Sequence, residues 1–214
     1  MEKFDIKKAC KTLYSAPTGE FSIVDVPPFD YFMIDGAGDP NSASTYKAAV
    51  EALYGVAYTL KFASKVALGR DHVVPPLEGL WWADDMADFV ARRKDRWRWT
   101  MMIAVPDFIE RSMAQDAIAK AKDKKRLPAL QHLRVEQLEE GQAVQTLHVG
   151  SYDDEGPTLD RLHREFLPAR RLAPTGHHHE IYLSDPRKTP AEKLKTILRQ
   201  PVGPRAGYSG STSR

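Results

Sequence analysis

Leu77-Glu78-Gly79-Leu80-Trp81-Trp82 and His179-Glu180-Ile181-Tyr182-Leu183-Ser184 hold the same place in an element order that the chain runs through twice. Each reads as a strand, rich in bulky residues near turn formers. Upstream of the first, Phe21 to Val26 and Tyr31 to Gly36 read as a strand pair joined by Pro27-Pro28, which a central ladder excludes. Tyr46, Val50, Leu53, Ala57 and Leu60 then follow at steps of four and three, one face of a helix. Trp97 to Val105 reads as a fourth strand, stopped by Pro106. Upstream of the second stretch, Leu133 to Leu138 and Ala143 to Gly150 pair around Glu139-Glu140-Gly141. Pro157 then opens a helix with Leu159, Leu162 and Phe166 on one face. Lys193 to Arg199 supplies the last strand, ending at Pro201.

The repeat aligns Phe32-Met33-Ile34-Asp35-Gly36 with Thr146-Leu147-His148-Val149-Gly150, and Glu78 with Glu180. Two copies of a β-β-α-β-β-like unit, neither able to bury a face alone, predict one α+β domain with a pseudo-twofold axis, antiparallel sheets and helices on one side. The repeats span about 21–106 and 130–202. A linking helix over 107–122 starts at Asp107 and Glu110 and ends in the basic run Lys120 to Arg126, which complements the helix dipole. Residues 1–20 read as an N-terminal extension and the Gly/Ser-rich 203–214 as a disordered tail.

Composition narrows the function. With 214 residues, 42% hydrophobic and 28% charged, the chain is an ordinary globular one. Its net charge of +2 supplies no field for gathering nucleic acid or an anionic membrane. Cys10 stands alone, which excludes an intrachain disulfide framework and fits a reducing compartment. No apolar stretch approaches a spanning helix and no export signal opens the chain, so the expected location is cytoplasmic. His177-His178-His179 alternate faces on a strand and have no Cys or other clustered ligands beside them, so no metal is expected. Nucleophile elbows, phosphate loops and dinucleotide fingerprints are missing, so no cofactor is expected.

Strand alternation puts Ile181 and Leu183 on one face and His178, Glu180, Tyr182 and Ser184 on the other. The helices are expected over Ile181 and Leu183. The same parity groups Glu78, Leu80 and Trp82, and sends adjacent Trp81 to the opposite face, so that one of the two tryptophans is expected in the core. A twofold meeting of the repeats is expected to turn both polar-aromatic rows toward one cleft. Two carboxylates between aromatic walls suit a flat or cationic organic ligand, and a carboxyl in apolar surroundings can serve as a general acid. Taken singly, each carboxylate reads rather as a paired or solvated strand residue, and it is their pairing by repeat position that brings the site reading level with that one.

His178-His179-Glu180-Ile181-Tyr182-Leu183-Ser184-Asp185-Pro186, followed by Pro190-Ala191-Glu192-Lys193-Leu194-Lys195-Thr196, resembles the C-terminal signature of the GyrI-like small-molecule-binding proteins. His148-Val149-Gly150-Ser151-Tyr152 and Pro76-Leu77-Glu78-Gly79-Leu80-Trp81-Trp82 are similar to two weaker signatures, the latter of the standalone branch. The resemblance covers about Phe21 to Val202. It implies a tandem β-α-β-β repeat around a hydrophobic cleft, a ligand-facing Glu at Glu180, and aromatics at Trp82, Tyr152 and Tyr182. Family members include effector domains of multidrug-responsive regulators, DNA gyrase modulators and cyclopropanoid cyclopropyl hydrolases, which open strained rings of DNA-alkylating natural products with water. The stretch before the first strand is too short for a helix-turn-helix, so no direct nucleic-acid contact is expected.

The leading expectation is a standalone hydrolase of such electrophilic toxins, a detoxification role, with Glu180, Glu78 and Tyr152 catalytic and Trp82, Tyr182, Leu80 and His178 binding the ligand. The alternatives are a non-catalytic binder or sensor of hydrophobic, aromatic or cationic compounds, and a DNA gyrase modulator.

Overall fold

A computed structural model describes residues 3–85, 88 and 91–205. Its strands are β1 (Ser22–Val26), β2 (Phe29–Ala37), β3 (Leu77–Ala83), β4 (Trp97–Ala104), β5 (Arg134–Leu138), β6 (Gly141–Val149), β7 (Leu172–Pro174), β8 (His178–Tyr182) and β9 (Lys195–Pro204). They form one open antiparallel sheet in the order β1-β6-β9-β8-β3-β4-β2-β5, with β7 on the far end of β9. Exchanging the two halves of the chain, β1 with β5, β2 with β6, β3 with β8 and β4 with β9, reads this order backwards. The repeat is therefore built into the sheet, and its axis falls between β3 and β8.

Helix α2 (Ser44–Ala67) lays Ala49, Ala52, Leu53, Val56 and Leu60 on Phe32, Ile34, Trp99 and Met101. Gly36 permits this packing, because a Cβ there would lie 2.1 Å from the Trp99 ring. Helix α3 (Arg111–Lys124) adds Ala114, Ala117, Ile118 and Ala121 to the same core. Over the second repeat, α4 (Gly156–Arg161) runs through a π-helical turn at Leu162–Phe166 into α5 (Leu167–Ala169), and Leu162 and Leu167 cover Val144 and Val202. The two helical layers thus share one face and flank the central strands β3 and β8. The opposite face carries the N-terminal segment, with α1 (Ile6–Ala9), whose Ile6, Leu13 and Tyr14 pack on Tyr31, Met33, Leu80, Met102, Ile181 and Ile197.

Several expectations change. The last strand passes through Pro201 to Pro204, beyond the expected stop, and so takes in the first residues assigned to the tail. Pairing with β8 has ended at Arg199, and Pro201 offers its carbonyl to Thr175 N–H at 3.0 Å, so its missing N–H falls at a gap in the ladder. Residues 206–214 lie outside the described residues. Helix α3 begins at Arg111 rather than Asp107: Pro106 to Ile109 close a separate turn, with Ile109 N–H on Pro106 C=O at 2.9 Å. Helices cover the face of Trp81 and Tyr182, not that of Ile181 and Leu183. No helix among the described residues is long and apolar enough to cross a membrane.

Candidate functional site

Register across β3 and β8 places the site residues. Cross-strand partners share a face, and the pairs are Glu78 with Ile181, Gly79 with Glu180, Leu80 with His179 and Trp81 with His178. Glu180 therefore shares its face with Trp81, not with Glu78. The structure separates the two carboxylates that the repeat was expected to bring together. The reason is the repeat offset: β3 and β8 begin at 77 and 178, 101 apart, so Glu180 corresponds to Gly79 and Glu78 to His179. A one-residue slip moves every side chain to the other face.

On the helix side, Tyr182 Oη donates to Glu180 Oε2 at 2.8 Å and accepts from Trp81 Nε1 at 2.9 Å. Gly79 makes that relay possible, since a Cβ there would stand 2.8 Å from Trp81 Nε1. Tyr46 from α2 packs on Trp81 and edge-on to Trp99, and Trp97 meets Trp81 edge to face at 5.8 Å. His178 is buried, with Nε2 3.6 Å from Glu180 Oε1. Tyr152 closes the other side, its ring 5.6 Å from Tyr182.

Tyr152 and Glu155 begin and end a single 3-10 turn that leads into α4. His148-Val149-Gly150-Ser151 builds this turn: Ser151 Oγ accepts from Asp153 N–H at 3.0 Å, and Gly150 (φ +147°) lets the His148 ring close on Ser151 C=O at 3.0 Å. Residues three apart on a helical turn share a side, so Glu155 faces inward with Tyr152. It is 3% exposed, and its Oε1 has no hydrogen-bond partner among the described residues. Burial first, and then the charge of Glu180, hold the Glu155 carboxyl well above the usual carboxylate range. Burial and then Glu180 also raise Tyr46 and Tyr182, and push Tyr152 up to about 12. The cluster thus gathers two buried carboxyls, Glu180 and the raised Glu155, among phenols and indoles.

Glu78 sits on the other face, fully buried, accepting from Tyr14 Oη at 2.9 Å, Tyr31 Oη at 3.3 Å and His179 Nε2 at 2.9 Å. His179 Nδ1 meets Glu140 Oε1 at 3.0 Å, and Arg199 Nη1 donates to Glu140 Oε2 at 3.1 Å. Both imidazole nitrogens face carboxylates, so His179 is an imidazolium. Burial opposes that charge, but Glu140 and Glu78 outweigh it and hold His179 at about 9. Burial likewise opposes the Glu140 carboxylate, but His179 and Arg199 bring it down to about 2. Arg199 Nη2 also donates to Leu13 C=O at 2.6 Å, and Gln145 Nε2 to Thr12 C=O at 2.8 Å, so this network ties the N-terminal segment to the sheet.

Leu80 and Trp82 also lie on this second face, away from Glu180. Trp82 stacks on His177 (4.1 Å, 11°) beside an open cavity of about 440 Å³ that Leu80, Met33, Arg98 and Arg134 also line. Of the seven residues expected at the site, Glu180, Tyr182, Tyr152 and His178 come together, while Glu78, Leu80 and Trp82 do not. Sequence reasoning missed Glu155, Tyr46 and Trp81. The three-residue step from Tyr152 to Glu155 was the available signal for the first. Among the described residues, no group of three or more His, Cys, Asp or Glu is placed to hold a metal ion.

Residues 19–202 match the model of the GyrI-like small molecule binding domain. Among solved structures, an uncharacterized conserved protein from Listeria innocua is 38% identical, with a TM-score of 0.82, covering 94% of this chain and 100% of that one. A structure described as a hydrolase from Listeria innocua matches at the same identity and coverage, with a TM-score of 0.79. The C-terminal domain of EcmrR shares the fold at 12% identity, with a TM-score of 0.55, over 86% of this chain and 98% of that domain. A search among curated proteins finds no match. The chain belongs to the GyrI-like small-molecule-binding family.

Proposed function

We propose that the chain is a hydrolase that opens the cyclopropane ring of electrophilic, planar DNA-alkylating compounds, a detoxifying activity suited to the cytoplasm. The observation that carries this reading is the pair Glu155 and Glu180, two buried carboxyls set among aromatic side chains, with Glu155 held above the usual carboxylate range by burial and by Glu180. The hydrolase from Listeria innocua, 38% identical over the whole fold, supports it.

In a compound whose cyclopropane is conjugated to a ring carbonyl, attack of water on the cyclopropane carbon forms a C–O bond and breaks a C–C bond. The released electron pair moves through the ring to the carbonyl oxygen. Glu180, oriented by Tyr182 and Trp81, takes the proton that water loses. Glu155, already protonated, gives one to the carbonyl oxygen, where charge develops. Tyr152 supplies a neutral hydroxyl donor at the same end. Tyr46, Trp81 and Tyr182 give the flat ring system its stacking surface. Proton exchange between the two carboxyls and solvent resets the site.

The test is incubation with a duocarmycin-type cyclopropane compound and mass analysis for the addition of one water. Hydrated product supports the reading. Compound that binds and returns unchanged leaves a sequestering protein, the second reading, which the aromatic walls and the charge of Glu180 favour for planar or cationic ligands.

A further inference from the structure

The turn that carries Tyr152 and Glu155 belongs to the second repeat, yet its grip comes from the first. Arg92 Nη2 donates to Tyr152 C=O at 3.2 Å and to Asp153 Oδ1 at 3.0 Å, and Lys94 Nζ donates to the same Oδ1 at 2.6 Å. Both cations come from the connection between β3 and β4 and lie against the ring of Trp97, at 5.8 and 6.0 Å. Described residues on either side of Arg92 and Lys94 are themselves anchored. Asp88, buried, accepts from Arg93 Nη1 at 2.7 Å and from Arg96 Nη1 at 3.2 Å, while its carbonyl takes the Arg93 N–H at 2.9 Å. Arg92 adopts φ 54°, a left-handed conformation that a side-chain-bearing residue holds when its surroundings enforce it. This strained residue is one of the two that cross the pseudo-twofold boundary.

We propose that Arg92 and Lys94 are positioning residues for Glu155: with Asp153 they clamp the turn that carries it and present a balanced charge to its carboxyl. This rests on the reading of Glu155 as the proton donor of the cleft. The groups that face that carboxyl are Glu180 and Tyr182 from β8, Arg92 and Lys94 from the β3–β4 connection, and Tyr152 and Asp153 from its own turn. Glu180 and Asp153 raise its proton affinity, and Arg92 and Lys94 lower it. Because Asp153 is bound to both cations, it offsets them, and Glu155 keeps its proton although two positive side chains are near. The clamp thus does two things through separable atoms, holding the Tyr152 carbonyl and neutralising charge.

The separation makes a test with opposite signs. In protein labelled with ¹³C at the glutamate carboxyls, the Glu155 resonance is identified by its loss in Glu155→Gln and titrated in each variant. Arg92→Gln is expected to raise the Glu155 midpoint by about one pH unit, a tenfold gain in proton affinity, and Asp153→Asn to lower it by less. Lys94→Gln, which leaves the bonds of Arg92 in place, is expected to raise it as well. The alkaline limb of hydrolysis should move in the same directions. A turn that merely loosens would move all variants the same way, and that result, or unchanged midpoints, overturns the proposal. Should the midpoints move as stated while a cyclopropane compound is returned intact, the hydrolase reading fails and this one stands.

Discussion

Glu78 and Glu180 lie on adjacent strands one register step apart, on opposite faces of the same sheet, and their surroundings differ in how fully their oxygens are used. Glu78 accepts hydrogen bonds from two tyrosines and a histidine, inside a network that also pairs His179 and Arg199 with Glu140. Two cations balance two carboxylates there. Glu180 accepts from Tyr182, and its neighbour Glu155 keeps an oxygen without a partner among the described residues. The difference teaches which buried carboxyls hold a fold together and which are left open for a ligand. Satisfied polar groups rigidify, whereas an unsatisfied one costs stability and marks a place where something else can bind.

The largest expected effect breaks the comparison on the helix side. Glu180→Gln, nearly isosteric and unable to take a proton, should slow hydrolysis about 100- to 10,000-fold, while weakening ligand binding about fivefold, on the order of 1 kcal/mol. Turnover by mass analysis and affinity by calorimetry separate the two. Full turnover in this variant would remove Glu180 as the base.

Next is the opposite face. Glu78→Ala leaves His179 and two tyrosines without their shared acceptor and should cost about 3–5 kcal/mol of stability, read by urea unfolding. If Glu78→Ala unfolds no more easily than the unmodified protein, the network does not tie the N-terminal segment down.

The pH dependence of that same unfolding sharpens the contrast. His179 is raised from its ordinary 6.5 to about 9, so its contribution is complete below 6.5 and is lost as pH rises through 9. Glu140 is lowered from 4.5 to about 2, so its contribution is complete above 4.5 and is lost as pH falls through 2. Both act together between 4.5 and 6.5, and His179→Gln should flatten the alkaline decline. An alkaline limb that is unchanged in His179→Gln assigns it to another group.

Smaller effects follow at the sheet's centre. Gly79→Ala should displace the Trp81 indole and break its bond to Tyr182, lowering turnover roughly fivefold, the worth of about one hydrogen bond. Trp82→Ala, on the far face, should change ligand affinity less than about twofold, well under the 1.4 kcal/mol of a tenfold change. A large loss of affinity in Trp82→Ala would move the binding site to the cavity beside His177.

Much of this molecule was legible in its residues, and the limits of that reading are physical. Alternation within a strand is local, so the grouping of Glu78 with Leu80 and Trp82, and of His178 with Glu180 and Tyr182, followed from order alone. The element order likewise gave the tandem repeat, because period and turn chemistry are short-range. The relation between two strands is not local. It depends on register, which packing on both faces sets, and there a single residue of offset put Gly79, not Glu78, opposite Glu180. Proton affinity is further still from the sequence. Asp153-Asp154-Glu155 is a run of three like acids in the sequence, and it took the fold to bury Glu155 beside Glu180 while leaving Asp153 exposed between Arg92 and Lys94. Desolvation and nearby charge are properties of a three-dimensional neighbourhood, so the residues of one turn acquired different chemistry only when the second repeat closed against the first.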